Sequence, residues 1–64
     1  MKGLVRLYYP ERGFGFLQTD ESKDIFFHIS DVTNGTEIEK GTSVEFTLVE
    51  TKKGLSAEYV VIFN

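Results

Sequence analysis

Apolar and polar residues alternate with a period of two along most of the chain, which is typical of β-strands that bury one face. Val44, Phe46 and Leu48 show the pattern most clearly, because single polar residues separate them. No stretch has the periodicity of an amphipathic helix. Turn-forming residues divide the pattern into five predicted strands. These strands are residues 2–8, 13–19, 24–29, 43–48 and 55–62.

The connections between the predicted strands are short, with one exception. Pro10 predicts a turn after the first strand, and residues 20–23 and 52–54 predict hairpin turns. The exception is residues 30–42, where the chain-breaking residues are Asn34, Gly35 and Gly41. Five short antiparallel strands, arranged as three plus two, favour a small closed or nearly closed barrel, because closure removes exposed strand edges. The predicted fold class is all-β.

The chain has 64 residues, of which 41% are hydrophobic, enough for one small core. We therefore expect one domain over residues 1–64. Such a domain has little room for a deep substrate cavity. Cysteine is absent, and the lone His28 has no second histidine with which to bind a metal and no recognisable nucleophile. We expect neither an enzyme nor a protein that needs a metal or other cofactor.

The chain contains no run of about 18 apolar residues and no signal-peptide pattern. We therefore expect a cytoplasmic protein without a membrane partner. The net charge of −3 argues against phosphate binding when it is taken as a whole. Its distribution is uneven, because residues 1–19 carry three basic residues and one acidic residue, whereas residues 20–64 carry four and nine. The basic residues near the N-terminus lie beside aromatic residues.

Alternation predicts a cluster of aromatic side chains outside the core. In the second strand it separates Phe14 and Phe16 from Leu17, and in the third strand it places Phe26 and His28 away from the apolar face. The inner face is then expected to hold Leu17, Ile25, Phe27, Ile29, Val44, Phe46 and Leu48. Burial of every phenylalanine is the alternative, but one small barrel cannot hold both sets. Exposed aromatic rings on neighbouring strands favour stacking on unpaired bases.

Two sequence motifs resemble the RNP motifs of the cold-shock domain family. They are residues 12–17, RGFGFL, and residues 25–29, IFFHI. Gly41 and Lys53-Gly54 fit the same pattern before the fourth and fifth strands, so the resemblance covers essentially the whole chain. It implies a five-stranded antiparallel OB-fold barrel that binds single-stranded RNA and DNA with low sequence selectivity. It also implies an RNA chaperone and a regulator of transcription and translation, without catalysis or cofactor.

The resemblance implies which residues bind nucleic acid. Phe14, Phe16 and Phe26 are expected to stack on bases, and His28 to stack or to donate a hydrogen bond. The basic positions that contact the backbone are Arg6, Arg12 and Lys53. Asp24 matches a polar position that contacts a base edge, and Tyr8 completes the expected site.

Several positions depart from the family pattern. Leu7 stands where the family usually has tryptophan, Ile29 replaces an aromatic residue, and the connection after Val32 is short and lacks its phenylalanine. Each lost stack is worth roughly 1–3 kcal/mol, so we expect weaker binding than in a typical member, with part recovered by Tyr8 or Tyr9. Strict alternation places Leu7 in the core, whereas the family match places it on the ligand side and requires a β-bulge.

A protein-interaction barrel with weakened or lost nucleic-acid binding is the alternative function. The acidic net charge and Leu7 favour it. The last strand adds a second open point, because both of its faces are apolar. A monomer is expected, and a dimer that exchanges strands through residues 30–42 is the alternative.

Overall fold

The computed structural model describes residues 1–33 and 37–63. Five strands form a closed barrel in the order β1-β2-β3-β5-β4. They are β1 Lys2–Tyr9, β2 Phe14–Gln18, β3 Ile25–His28, β4 Ser43–Thr51 and β5 Gly54–Ile62. The all-β, five-stranded OB-type barrel is therefore confirmed. The break predicted at Asn34-Gly35 lies outside the described residues, and no helix within them is long and apolar enough to cross a membrane.

Most neighbouring strands pair in the expected antiparallel direction. This holds for β1 with β2, β2 with β3, β1 with β4, and β4 with β5. The barrel closes through a parallel contact between β3 and β5, in which Phe26 lies opposite Ser56. Val32 and Val60 form a further parallel bridge. The two parallel strands β3 and β5 are not consecutive in the chain, because β4 lies between them in the sequence.

The core contains most of the residues expected on the inner face. The buried side chains are Val5, Leu17, Ile25, Phe27, Val44, Phe46, Ala57 and Val60. Leu48 packs against them and is partly buried. Ile29 differs from the expectation, because β3 ends at His28 and Ile29 begins a 3₁₀ turn, Ile29–Asp31, in which its side chain is only half-buried.

A β-bulge at Arg6 shifts the alternation in β1. Val5 lies opposite Leu17, but Leu7 lies opposite Phe16, so Arg6 is an extra residue in the pairing. One extra residue moves every later side chain to the other face. The bulge therefore places Leu7 on the same face as Phe16, as the family match required.

The same shift moves Tyr8 away from the expected binding surface. Tyr8 lies opposite Gly15 and stacks on the buried ring of Phe27, with ring centroids 5.9 Å apart and an interplanar angle of 17°. A methyl group at Gly15 would collide with the carbonyl oxygen of Leu7 and would lie 2.9 Å from the Phe27 ring. Glycine is thus required where β1 and β2 approach closely, and Tyr8 belongs to the core side of β1.

A second irregularity explains why both faces of the last strand are apolar. Glu45 pairs with Val61 and Thr47 with Glu58, so β5 has one more residue than β4 in this interval. Tyr59 lies there with a φ of 52°, a left-handed conformation. The extra residue reverses the alternation. Leu55 and Ala57 before it, and Val60 and Ile62 after it, are buried or packed against the core.

Candidate nucleic-acid interface

Three phenylalanine rings meet on the outer surface of β2 and β3. Phe16 lies opposite Phe26, and Phe14 lies opposite His28. The centroid of the Phe14 ring is 5.6 Å from that of Phe26 and 6.1 Å from that of Phe16, and the Phe16 and Phe26 rings are 6.0 Å apart. Phe26 is 37% exposed, whereas Phe14 and Phe16 are half-buried. The structure therefore brings together the three phenylalanines that the sequence predicts to stack on bases.

Tyr9 extends this cluster onto β1. It lies opposite Phe14, with ring centroids 5.4 Å apart, and is 44% exposed. The four rings of Tyr9, Phe14, Phe16 and Phe26 are called the aromatic patch below. The sequence identified Tyr9 only as a substitute for lost aromatics, because the bulge that selects it over Tyr8 leaves no signature in the alternation.

The turn between β1 and β2 presents Arg12 beside the aromatic patch. The backbone N–H groups of Arg12 and Gly13 both donate to the carbonyl of Tyr9, at 3.0 and 2.9 Å. Gly13 has a φ of 74°, which glycine adopts without strain. Its carbonyl accepts from the N–H of Ile29 at 2.7 Å, which ties the turn to the end of β3. Arg12 is exposed, and its backbone is hydrogen-bonded to that of Tyr9.

His28 lies beside Phe14 at the end of β3, and its ring is held by Ser30. The Ser30 N–H donates to His28 Nδ1 at 3.1 Å, and the Ser30 hydroxyl lies 2.9 Å from the same nitrogen. Because Nδ1 accepts a backbone N–H, the hydrogen-bond network assigns the proton of the neutral ring to Nε2. The exposed His28 therefore offers an N–H donor at Nε2.

An open groove runs beside the other end of the aromatic patch. Its volume is about 640 Å³, and Phe16, Phe26 and Asp24 line one side of it. The opposite side is the β4–β5 hairpin, which includes Lys52 and Lys53, both exposed. The resemblance to the family assigns a role to Lys53 and none to Lys52, whereas closure of the barrel brings both lysines to the groove.

Arg6 and Asp24 contact each other across β2. Arg6 Nη1 donates to Asp24 Oδ1 at 2.8 Å, and the two residues are 18 positions apart in the sequence. The sequence assigned them separately, one to the phosphate backbone and the other to a base edge. Of the nine predicted site residues, eight thus lie on or around the aromatic patch, and Tyr8 lies on the core side of β1.

The described part of the chain contains no cluster of candidate metal ligands. Within residues 1–33 and 37–63, no three histidine, aspartate or glutamate side chains come close enough together to hold a metal ion. The features that can act chemically in this region are flat rings, cationic side chains and hydrogen-bond donors. Flat rings stack on bases, and cations pair with phosphates.

One protein family and several curated relatives match this chain over almost its whole length. The model of the 'Cold-shock' DNA-binding domain matches residues 1–63. Cold shock protein CspA of Staphylococcus haemolyticus is 37% identical over 62 residues, which cover 94% of each chain. Cold shock-like protein CspC of Bacillus cereus is 35% identical over 63 residues, 95% of this chain and 97% of that protein.

A solved structure shows the same barrel. The structure of Drosophila Unr CSD456 superimposes with a TM-score of 0.81 at 29% sequence identity. The match covers 98% of this chain but 26% of the Drosophila chain, so the present chain corresponds to about a quarter of that larger protein. The family model, the relatives and the shared barrel lead to one conclusion: this chain belongs to the cold-shock domain family of nucleic-acid-binding, non-enzymatic proteins.

Proposed function

We propose that this protein binds single-stranded RNA and DNA with low sequence selectivity by stacking bases on the aromatic patch. The observation that carries the proposal is the contact of four partly exposed rings, from Tyr9 to Phe26, across three adjacent strands. Exposed aromatic clusters are costly for a soluble protein, so their presence favours a ligand. Each stacked base contributes roughly 1–3 kcal/mol, and every base has a flat face to offer.

Cationic side chains at both ends of the aromatic patch support the same proposal. Arg12 lies at the β1–β2 turn, and Lys52 and Lys53 lie across the groove. Phosphates between stacked bases can pair with these groups, which contributes to affinity without reading sequence. Local positive charge thus supports backbone contacts although the net charge of the chain is −3.

Preference for unpaired bases gives the proposed cellular role. A duplex hides the faces of its bases, so a protein that stacks on them binds the open form and shifts the equilibrium away from weak secondary structure. Such a protein acts as an RNA chaperone and thereby affects transcription and translation. The proposed location is the cytoplasm, and the proposed ligand-binding form is a monomer.

One titration tests the proposal directly. Fluorescent oligothymidine and a matched duplex are titrated with the protein at two salt concentrations, and anisotropy is recorded together with tyrosine emission. Binding to the single strand with quenching of tyrosine is the expected result, because Tyr9 is part of the aromatic patch. Equal affinity for the duplex would overturn the stacking mechanism.

A protein-interaction module is the second candidate function, and a separate surface favours it. The outer surface of β1, β4 and β5 exposes apolar side chains together with a lysine and a glutamate. This surface, called the back face below, consists of Lys2, Leu4, Glu45, Val61 and Phe63. Absence of binding to any single strand, even at low salt, would favour this second function over the first.

A further inference from the structure

The ion pair between Arg6 and Asp24 lies at the edge of the aromatic patch. The two side chains are 40% and 71% exposed, and the contact joins one guanidinium nitrogen to one carboxylate oxygen. Exposed pairs of this kind contribute little to folding stability. We therefore expect the barrel to remain folded when either residue is replaced, so that effects on binding can be measured separately.

The position of the pair follows from the bulge in β1. Val5, Leu17 and Ile25 form one buried row across the first three strands. Arg6 is the extra residue that follows Val5, and Asp24 directly precedes Ile25. Both side chains leave the barrel on its outer surface at this level, next to the row that contains Phe16 and Phe26. The pair therefore borders the surface on which bases are proposed to stack.

Asp24 also lines the groove beside the aromatic patch, together with Phe26 and Lys53. A phosphate that approaches Arg6 meets a guanidinium that already donates to this carboxylate. Guanidinium groups bind carboxylates and phosphates through the same N–H donors. The two anions therefore compete for Arg6, and the charge of Asp24 opposes a phosphate in the groove.

We propose that Asp24 competes with nucleic-acid phosphates for Arg6 and so determines how strongly binding depends on phosphate charge. The inference rests on the proposed function. With Arg6 neutralised, stacking on unpaired bases supplies a larger share of the affinity. Duplexes offer phosphates but hide their bases, so Asp24 acts as a specificity-determining residue that favours single strands over duplexes.

Replacement of Asp24 by asparagine tests the inference. The Asp24→Asn variant is expected to bind oligothymidine about threefold more tightly at about 50 mM salt, with a log–log salt slope steeper by about 0.7. Its affinity for a matched duplex is expected to rise by a larger factor. The Arg6→Gln/Asp24→Asn double variant is expected to lose this steeper slope, because Arg6 supplies the additional contact.

Glu45→Gln is the matched control, because it removes the same charge from the back face. An equal gain in this control would overturn the inference, since net charge alone would then explain the effect. Weaker binding by Asp24→Asn, or an unchanged slope, would also overturn it, while binding by the unmodified protein would leave the proposed function intact. No binding by any variant would overturn both proposals.

Discussion

The aromatic patch and the back face expose phenylalanine to similar degrees, yet their surroundings differ. Phe26 is 37% exposed and Phe63 is 42% exposed. The ring of Phe26 contacts two other phenylalanine rings, with centroids 5.6 and 6.0 Å away. The ring of Phe63 is covered by the ammonium group of Lys2, 5.6 Å from its centroid. Exposure alone therefore does not distinguish the proposed base-binding surface from the back face, whereas contact between several rings does.

The aromatic patch and the back face also differ in the charged residues around them. The aromatic patch is bordered by Arg12, Lys52 and Lys53, whose side chains are exposed. On the back face, Lys2 lies opposite Glu45 in the pairing of β1 with β4. Besides the Arg6–Asp24 pair, the first surface thus has three cations that can attract phosphates, whereas the second has one cation and one anion. The strand order supports this separation, because β4 borders neither β2 nor β3 in the barrel.

The largest effect on binding is expected when a ring is removed from the aromatic patch, with the back face as the control. Phe26→Ala is expected to weaken oligothymidine binding by about tenfold or more, because one stacked base is worth roughly 1–3 kcal/mol. Phe63→Ala is the control and is expected to leave the affinity unchanged. Fluorescence anisotropy measures the affinity, and thermal unfolding shows whether the two variants lose similar stability. Equal affinity in both variants would remove the distinction between the surfaces.

An added ring should act in the opposite direction. Leu7→Trp places a flat side chain opposite Phe16 and is expected to tighten binding by about tenfold, through one further stack. Leu4→Trp adds the same ring to the back face and is expected to have no effect on affinity. A tryptophan at position 7 that leaves binding unchanged would contradict the assignment of this position to the ligand side of β1.

Tyr9 is expected to make a smaller contribution, at the edge of the aromatic patch. Tyr9→Ala should weaken binding by about fivefold, near the lower end of the range for one stack, and should remove most of the ligand-induced quenching of tyrosine emission. Tyr59, which is 69% exposed on β5, provides the control. Tyr59→Asn suits its φ of 52°, because asparagine tolerates this conformation. Quenching that survives in Tyr9→Ala would assign the signal to another tyrosine.

The smallest expected effect concerns charge at the β1–β2 turn. Arg12→Ala should reduce the log–log salt slope of single-strand binding by about 0.7, since one phosphate contact is lost. Lys2→Ala removes a charge from the back face and should leave the slope unchanged. Titrations at about 50 and 200 mM salt separate these outcomes. A larger reduction of the salt slope in Lys2→Ala than in Arg12→Ala would mean that phosphates contact the back face.

Strands and the phenylalanine cluster could be predicted from the sequence, because period-two alternation directly reports which side chains share a face. It predicts the outward orientation of Phe14, Phe16 and Phe26. Alternation failed in β1, where Leu7, Tyr8 and Tyr9 are all able to occupy either face, so the pattern carries no sign of the bulge. Only the family match calls for a bulge, and the pairing of β1 with β2, where Leu7 lies opposite Phe16, shows that it lies at Arg6.

Long-range contacts were the other features that the sequence did not reveal. Lys52 reaches the groove because β3 and β5 close the barrel, and Arg6 contacts Asp24 because the bulge directs its side chain across β2. Both contacts depend on the three-dimensional register rather than on local preference. Ile29 lies outside the core for a local reason, since β3 ends one residue earlier than the alternation predicts and a 3₁₀ turn begins there.

The central claim is that single strands bind the aromatic patch and not the back face. The most direct measurement is an NMR titration of isotope-labelled protein with oligothymidine. The chemical shifts of the protein's backbone amides and aromatic rings are recorded at each step. The predicted result is a set of shifts in Tyr9, Phe14, Phe16 and Phe26 and in the β4–β5 hairpin, with Leu4, Glu45 and Val61 unchanged. Shifts concentrated on the back face, or none at saturating oligonucleotide, would contradict the account.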